Sequence, residues 1–428
     1  MGGGLLQLVA YGAQDAYISG NPQITFWKGL FKRHTNFAME PFRINFSGQP
    51  SWGTKQTAII GRHADLLYST YVEVVLPFKG TNDGEYAWSS GDLGYKLIRH
   101  VELDIGGQIV DRMYSEFMVI WAQLTLSSDA RIKLSAMVDP TIRNDSECAD
   151  DGRKQLANVL YIPLPFFFTR NPGAALPLIA LQYHEVKINV LWNDPQFFAG
   201  DFRYVSNCPP ATQAALYIDY IYLDTEERRR MAQASHEYLI EQTQFNEDKG
   251  IRGANNRIDL TFNHPVKELI WVVQPAYYTD CKLAAKLNQT RLTPFFYDSS
   301  LVYEQWIQIN GQDRLDRRYG DYYSKVQPFQ HHTGTGSIIN PATGTINYGG
   351  GGLYCYSFAL RPEEHQPSGT CNFSRIDTAT IVMNMAGGVS PGIGPAVSDA
   401  GDWNVRVYAI NYNVLRVMSG MGGLAYSN

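Results

Sequence analysis

Few short stretches of this chain combine residue types suited to catalysis or metal binding, and each fails on spacing. Gly388-Val-Ser-Pro-Gly392 spells the Gly-x-Ser-x-Gly nucleophile elbow. In that turn the residue after the serine gives its N–H to the oxyanion hole, and Pro391 has none. His184-Glu185 and His236-Glu237 each begin a His-Glu-x-x-His zinc helix, but Ile188 and Ile240 stand where the second histidine is required. His331-His332 is a possible metal pair, yet adjacent side chains point apart in an extended chain and no other ligand lies close in sequence. It reads as a polar loop pair. The acidic run Asn144-Asp-Ser-Glu-Cys-Ala-Asp-Asp-Gly152 lacks EF-hand spacing and reads as a solvated turn. No catalytic, cofactor-binding or metal-ligating set is expected.

The five cysteines, Cys148, Cys208, Cys281, Cys355 and Cys371, are odd in number and form no Cys-x-x-Cys pair. Reduced thiols suit them better than a disulfide framework or zinc site. Aromatics make up 13% of the chain, with 27 tyrosines. Such rings can line a sugar- or base-stacking groove, but packing of sandwiches and subunit interfaces is the more economical use. A β-sandwich carbohydrate-binding or hydrolytic protein is the rival class, although no carboxylate pair is singled out. A net charge of −5 argues against a protein that coats nucleic acid by counterion release. The N-terminus lacks a signal-peptide pattern and Leu6 spoils a myristoylation motif. Asn-x-Ser/Thr sequons include those at Asn144, Asn288 and Asn372. Asn372 leads into an expected strand and is expected to be inaccessible.

The elements that must carry these residues are strands, and their pattern is stated twice. Leu103, Ile105, Gly107 and Gln108 return 204 residues later as Ile307, Ile309, Gly311 and Gln312. Val186, Ile188 and Val190 return 193 residues later as Ala379, Ile381 and Met383, and the run from Tyr161 to Phe168 returns at the same offset from Tyr354. Leu216, Ile218 and Tyr220 lie 192 residues before Tyr408, Ile410 and Tyr412. The Tyr161 run is the weaker match, while in the closing strands each apolar position meets an apolar position, so each strand is expected to keep its inward face between copies. Strand-like runs separated by Gly, Pro and Asn loops, with few amphipathic helices, indicate an all-β sandwich architecture. Residues 1–35 read as an arm, 36–223 as one copy, 224–235 as a linker helix and 236–428 as the second copy. In the linker, Asp224 is placed to pair with Arg228 and Glu226 with Arg230 at i,i+4.

Several blocks resemble a known family. They are Gly12-Ala-Gln-Asp15, Gly20-Asn-Pro-Gln-Ile-Thr-Phe26, Arg33-His-Thr-Asn-Phe-Ala38, Leu176 to Val186, His236 to Gln242, Asn310 to Arg314, Gln366 to Asp377 and Asn411 to Tyr426. They are similar to the major capsid proteins of nucleocytoplasmic large DNA viruses of the chlorella-virus type, from Gly12 to the C-terminus. The resemblance implies two consecutive eight-stranded jelly-roll sandwiches, a double jelly roll, with short helices in the N-terminal arm, linker and loops. It implies a homotrimer with a pseudo-hexagonal outline, neighbouring capsomers as partners, and a virion assembled in the host cytoplasm. Minor capsid proteins, and an inner membrane layer, would meet the arm on the inner face, where Lys28, Lys32 and Arg33 would sit. Phe26, Trp27 and Phe31 would anchor the arm under the first sandwich. No specific nucleic-acid binding is implied. A minor capsid paralogue at special lattice positions fits the same residues. Relatives of this type carry glycans on outer loops; here 386–402 has no asparagine, and Asn288 is the one candidate in 275–298.

Overall fold

The structure, a computed structural model, describes residues 2–77, 92–139, 158–198, 210–251, 255–275, 302–334, 338–339, 346–347, 352–385 and 403–426. Contacts divide the chain into two units, Met1–Phe37 and Ala38–Asn428. The first unit holds two short helices, α1 (Gly3–Val9) and α2 (Ala16–Ser19), and neither buries a side chain.

The second unit carries sixteen principal strands in four sheets. The first eight are β1 (Phe37–Asn45), β2 (Lys55–Ile59), β3 (Leu66–Leu76), β4 (Ile98–Ile105), β5 (Gln108–Tyr114), β6 (Asn158–Pro163), β7 (Val186–Trp192) and β8 (Gln213–Leu223). The second eight are β9 (His236–Ile251), β10 (Asn255–Leu260), β11 (Pro265–Pro275), β12 (Val302–Ile309), β13 (Gln312–Asp313), β14 (Leu353–Ser357), β15 (Ala379–Met385) and β16 (Trp403–Met418). Strand order is β1-β8-β3-β6 facing β2-β7-β4-β5, then β9-β16-β11-β14 facing β10-β15-β12-β13. Adding eight to each strand of the first sandwich gives the second, so both are jelly rolls of one topology. A short β17 (Met421–Leu424) pairs back onto β16.

The recurring Gly-Gln mark is a two-residue hairpin turn. Gly106 and Gly107 have φ of 63° and 88°, and Asn310 and Gly311 of 50° and 77°. Positive φ at both central residues is the type I′ geometry whose twist matches the flanking strands. The Ile105–Gln108 and Ile309–Gln312 pairs close the two turns.

Each roll has its own core. Val72, Val74, Leu160 and Leu216 of one sheet meet Ala58, Leu103, Ile188 and Val190 of the other. In the second roll Leu269, Trp271, Val405 and Val407 meet Ile258, Ile307, Ile381 and Met383. At roughly 1.5–3 kcal/mol per buried large side chain, either cluster is an adequate driving force for its sandwich.

Face is kept at two of the four repeat matches and lost at the other two. Leu103 with Ile307, and Ile188 with Ile381, all point into their own cores. Leu216 and Ile218 do as well, but Tyr408 and Ile410 lie on the reverse face of their sheet, and the inward residues are Val405, Val407 and Ala409. Likewise Leu160 and Ile162 face inward while Tyr161 does not, although its match, Tyr354, does. Both failures fall in β9-β16-β11-β14. That sheet is covered on both sides, so both parities are apolar and alternation ceases to mark the face.

The linker helix, Thr225–Gln233, also departs from expectation. Arg228 binds Asp65 of the first roll, with Nε 3.0 Å from Oδ1, and Arg229 binds Glu226 at 2.7 Å. Asp65 is buried beside the helix and also accepts from the Leu223 amide, so it outcompetes the exposed Asp224.

Candidate functional site: the buried polar seam between the rolls

What covers the reverse face is a helix of the first roll. After β5 the chain enters α3 (Ser115–Thr125), buried from Ser115 to Leu124, and then α4 (Ser128–Val138). A helix buried on every side is a core helix. Phe117, Ile120, Trp121 and Leu124 of α3 pack against Ile270, Val272, Leu353, Cys355, Tyr408 and Ile410. The connection α5 (Thr225–Gln233) then leads into β9. β9 and β16, at 16 residues each, are longer than β1 at 9 and β8 at 11. Their far ends leave the second core, and Ile240, Leu415 and Val417 join the first.

Charged groups are set into this apolar contact. The Glu116 carboxylate accepts from Arg406 Nη1 at 3.0 Å, from the Tyr408 hydroxyl at 2.6 Å, and from the Gln274 amide. Arg406 also reaches Glu247 at 2.9 Å. Burial disfavours the Arg406 cation, but Glu116, Tyr408 and Glu247 together outweigh it and hold the guanidinium more basic than usual. Burial and the same carboxylate push the Tyr408 phenol well above its ordinary range.

A second centre is built on Glu241 of β9, which pairs with Lys267 at 2.6 Å and with Arg170 of the first roll at 3.1 Å. The Arg170 guanidinium stacks 4.4 Å from the Trp121 ring centroid, a cation–π contact inside the seam. Lys267 is wholly buried; burial lowers its pKa against the opposing pull of Glu241. Consecutive charged residues Lys267 and Glu268 are both buried because the β11 register shifts between Val266 and Glu268. Nearby, Asp111 of β5 accepts from the Thr243 amide at 3.2 Å, and Gln242 donates to the Val110 carbonyl. Burial pushes the Asp111 carboxyl up to about 6.

A third cluster lies where α6 (Gln327–His331) ends. His332 is not the solvated loop residue expected of a polar pair. Its Nε2 lies 2.5 Å from Glu268 Oε1 and its Nδ1 3.0 Å from Glu363 Oε1. Burial opposes protonation of the imidazole, yet Glu268 and Glu363 overcome it and push its pKa up to about 12. Cys355 of β14 completes the group, with one ligand atom each from Glu268, His332 and Cys355 lying within 4.8 Å of one another. Sequence spacing hid this set, because its members are 64 and 23 positions apart.

The C-terminus closes the seam. The Tyr183 amide donates to the Gly420 carbonyl at 2.9 Å, and His184 Nδ1 lies 2.9 Å from the Gly422 carbonyl. The conspicuous sequence blocks 176–186, 236–242 and 411–426 thus meet here. His184 and His236 serve backbone contacts, His236 Nε2 lying 2.7 Å from the Met231 carbonyl.

Lys28, Lys32 and Arg33 are exposed in the arm, as are Phe26, Trp27 and Phe31. Asn372, expected to be inaccessible, is exposed at the mouth of a short turn, its Oδ1 accepting from the Ser374 amide at 3.1 Å. Asn288, Asn144–Gly152, Gly388–Gly392, Cys148, Cys208 and Cys281 lie outside the described residues. Cys355 and Cys371 are free thiols. Among the described residues no helix is long and apolar enough to cross a membrane.

Comparison with known proteins agrees with this geometry. Residues 25–224 match the family model described as major capsid protein N-terminus, and 227–423 the one described as large eukaryotic DNA virus major capsid protein. The chain is 45% identical to the major capsid protein of Pyramimonas orientalis virus over the full length of both, and 40% identical to that of Paramecium bursaria Chlorella virus 1, again over both in full. The structure of the PBCV-1 virus capsid superposes with a TM-score of 0.76 at 34% identity, covering 94% of this chain and all of the other. The Faustovirus major capsid protein, at 12% identity and a TM-score of 0.68, covers 95% of this chain and 94% of its own and shares the fold.

Proposed function

This chain belongs to the major capsid proteins of large eukaryotic DNA viruses, structural components of the virion shell, and we propose that three copies close into a trimeric tile with a pseudo-hexagonal outline. The observation that carries this is the pair of jelly rolls of identical strand order, joined by a buried seam. Two like rolls per chain and three chains give six similar corners, and such tiles pack a flat lattice. Each chain supplies two of the six corners, residues 36–223 and 236–428, with 224–235 as the linker.

The function is assembly rather than turnover. Glu116, Glu241, Lys267 and Arg406 are each engaged with partners that hold the rolls together. In the assembled shell the arm faces inward, and Lys28, Lys32 and Arg33 meet minor capsid proteins or the anionic surface of an internal membrane. Assembly takes place in the host cytoplasm, a reducing compartment that suits free Cys355 and Cys371. Asn288 is the proposed acceptor if an outer loop carries a glycan, and intact mass tests that.

The purified chain should sediment as a trimer and show a hexagonal outline by negative stain. A stable monomer with sugar-dependent binding would overturn the tile in favour of a carbohydrate-binding sandwich. A low copy number per particle would instead assign the chain to special lattice positions.

A further inference from the structure

We propose that Glu268, His332 and Cys355 form a binding site for one thiophilic divalent transition-metal ion, with zinc as the ion whose donor preferences they match. A carboxylate oxygen, an imidazole nitrogen and a thiol sulfur are the donor types zinc takes in proteins. Here they converge from three separate pieces of chain: Glu268 from β11, Cys355 from the neighbouring strand β14, and His332 from the end of α6.

Two further observations point to a ligand. The second Glu268 oxygen, Oε2, is buried and accepts from no donor, although an unpartnered carboxylate oxygen is costly in an apolar interior. Glu363 stands behind the histidine. Its Oε1 lies 3.0 Å from His332 Nδ1, and the carboxylate is fixed by the Thr333 amide at 2.9 Å and the Thr333 hydroxyl at 2.8 Å. A carboxylate on the far ring nitrogen is the outer support that orients a metal-ligating histidine and makes its free nitrogen more basic.

Charge balances in the exchange. Without metal, a proton sits between His332 Nε2 and Glu268 Oε1, and the Cys355 thiol keeps its own. A divalent ion takes the place of both, releasing two protons to solvent and leaving neutral imidazole, thiolate and carboxylate as ligands. The net charge of the cluster is unchanged. Nε2 and Oε1 then separate from 2.5 Å to about 3.3 Å, the span set by two ordinary zinc bonds at a tetrahedral angle. The adjoining segment is tied to the first roll by the Gly334 amide, which donates to the Leu124 carbonyl at 2.7 Å. A bound ion therefore fastens β11 and β14 to the segment that spans the seam.

The test is titration of the tag-free, folded full chain with cobalt(II), which reports thiolate ligation through a sulfur-to-metal charge-transfer band in the near ultraviolet. One equivalent per chain is expected to bind with release of two protons, and zinc should then displace it with no further proton release. Cys355→Ser should abolish the band and Cys371→Ser should leave it intact. Glu363→Gln should weaken affinity about 10- to 100-fold without changing the stoichiometry. Absence of any cysteine-dependent band on the folded wild-type chain, or a band that survives Cys355→Ser, overturns the site and leaves a protonated histidine between two carboxylates. A variant that fails to fold decides nothing against the wild-type titration, which stands alone.

Discussion

The Glu116 carboxylate accepts the Tyr408 hydroxyl at 2.6 Å, joining residues 292 positions apart across the boundary between the two rolls. The same carboxylate neutralises Arg406. Removing it leaves Arg406 with Glu247 and takes the acceptor from the Tyr408 hydroxyl and the Gln274 amide, so Glu116→Ala should cost about 3 kcal/mol. Tyr408→Phe, which removes one hydrogen bond and leaves the ion pair, should cost nearer 1 kcal/mol. Urea unfolding of both variants measures the difference, and equal losses would show that the charge is not what the seam depends on.

Stability should fall as pH rises from about 4 to 6 through Asp111. Burial raises its carboxyl to about 6 in the folded chain, against the pull of the Thr243 amide and Arg170, with Glu241 adding to the rise. The unfolded chain ionises first, near the ordinary value, so raising the pH favours unfolding until the folded carboxyl ionises as well. The full effect is roughly 3 kcal/mol for a shift of this size. Asp111→Asn removes the titration, and denaturant midpoints taken at pH 4, 5, 6 and 7 should show the variant gaining on wild type. Parallel profiles would refute the assignment.

Gly420 and Gly423 offer a matched pair in the C-terminal hairpin. Gly420 has φ of 80°, and a Cβ there would lie 2.5 Å from Tyr183 Cδ2, whereas at Gly423 the nearest atom is 3.5 Å away. Gly420→Ala should destabilise by about 1–3 kcal/mol and Gly423→Ala by a few tenths. Thermal melts of the two proteins suffice, and indistinguishable melts would remove the hairpin from the seam's energetics.

Deleting residues 2–25 removes part of the arm, whose described residues bury nothing. Both rolls should keep their melting transition, while yield of shells or capsomer arrays falls. Unchanged particle yield would sink the assembly role given to the arm.

The duplicated rolls were legible because hairpin turns and strands covered on one side leave a period-two trace; Gly107 and Gly311 mark the same turn in both copies. The inward face was misread at Tyr408 and at Tyr354, where the sheet is buried on both sides and hydrophobicity carries no phase. Glu116 was not legible as a site residue, because its partners Arg406 and Tyr408 lie too far along the chain for spacing to reveal them. His332 was misplaced for a related reason, since a histidine seen beside another in a polar stretch says nothing about strands that arrive from elsewhere.

The reverse face of β9-β16-β11-β14 also has a mechanical meaning. In the six-cornered tile proposed above, the junction inside each chain is covalently linked and cross-tied by buried ion pairs, whereas a junction between chains would lack that covalent link. Stiffness would then alternate around the ring, with strain from curvature or internal pressure taken up at the boundaries between chains.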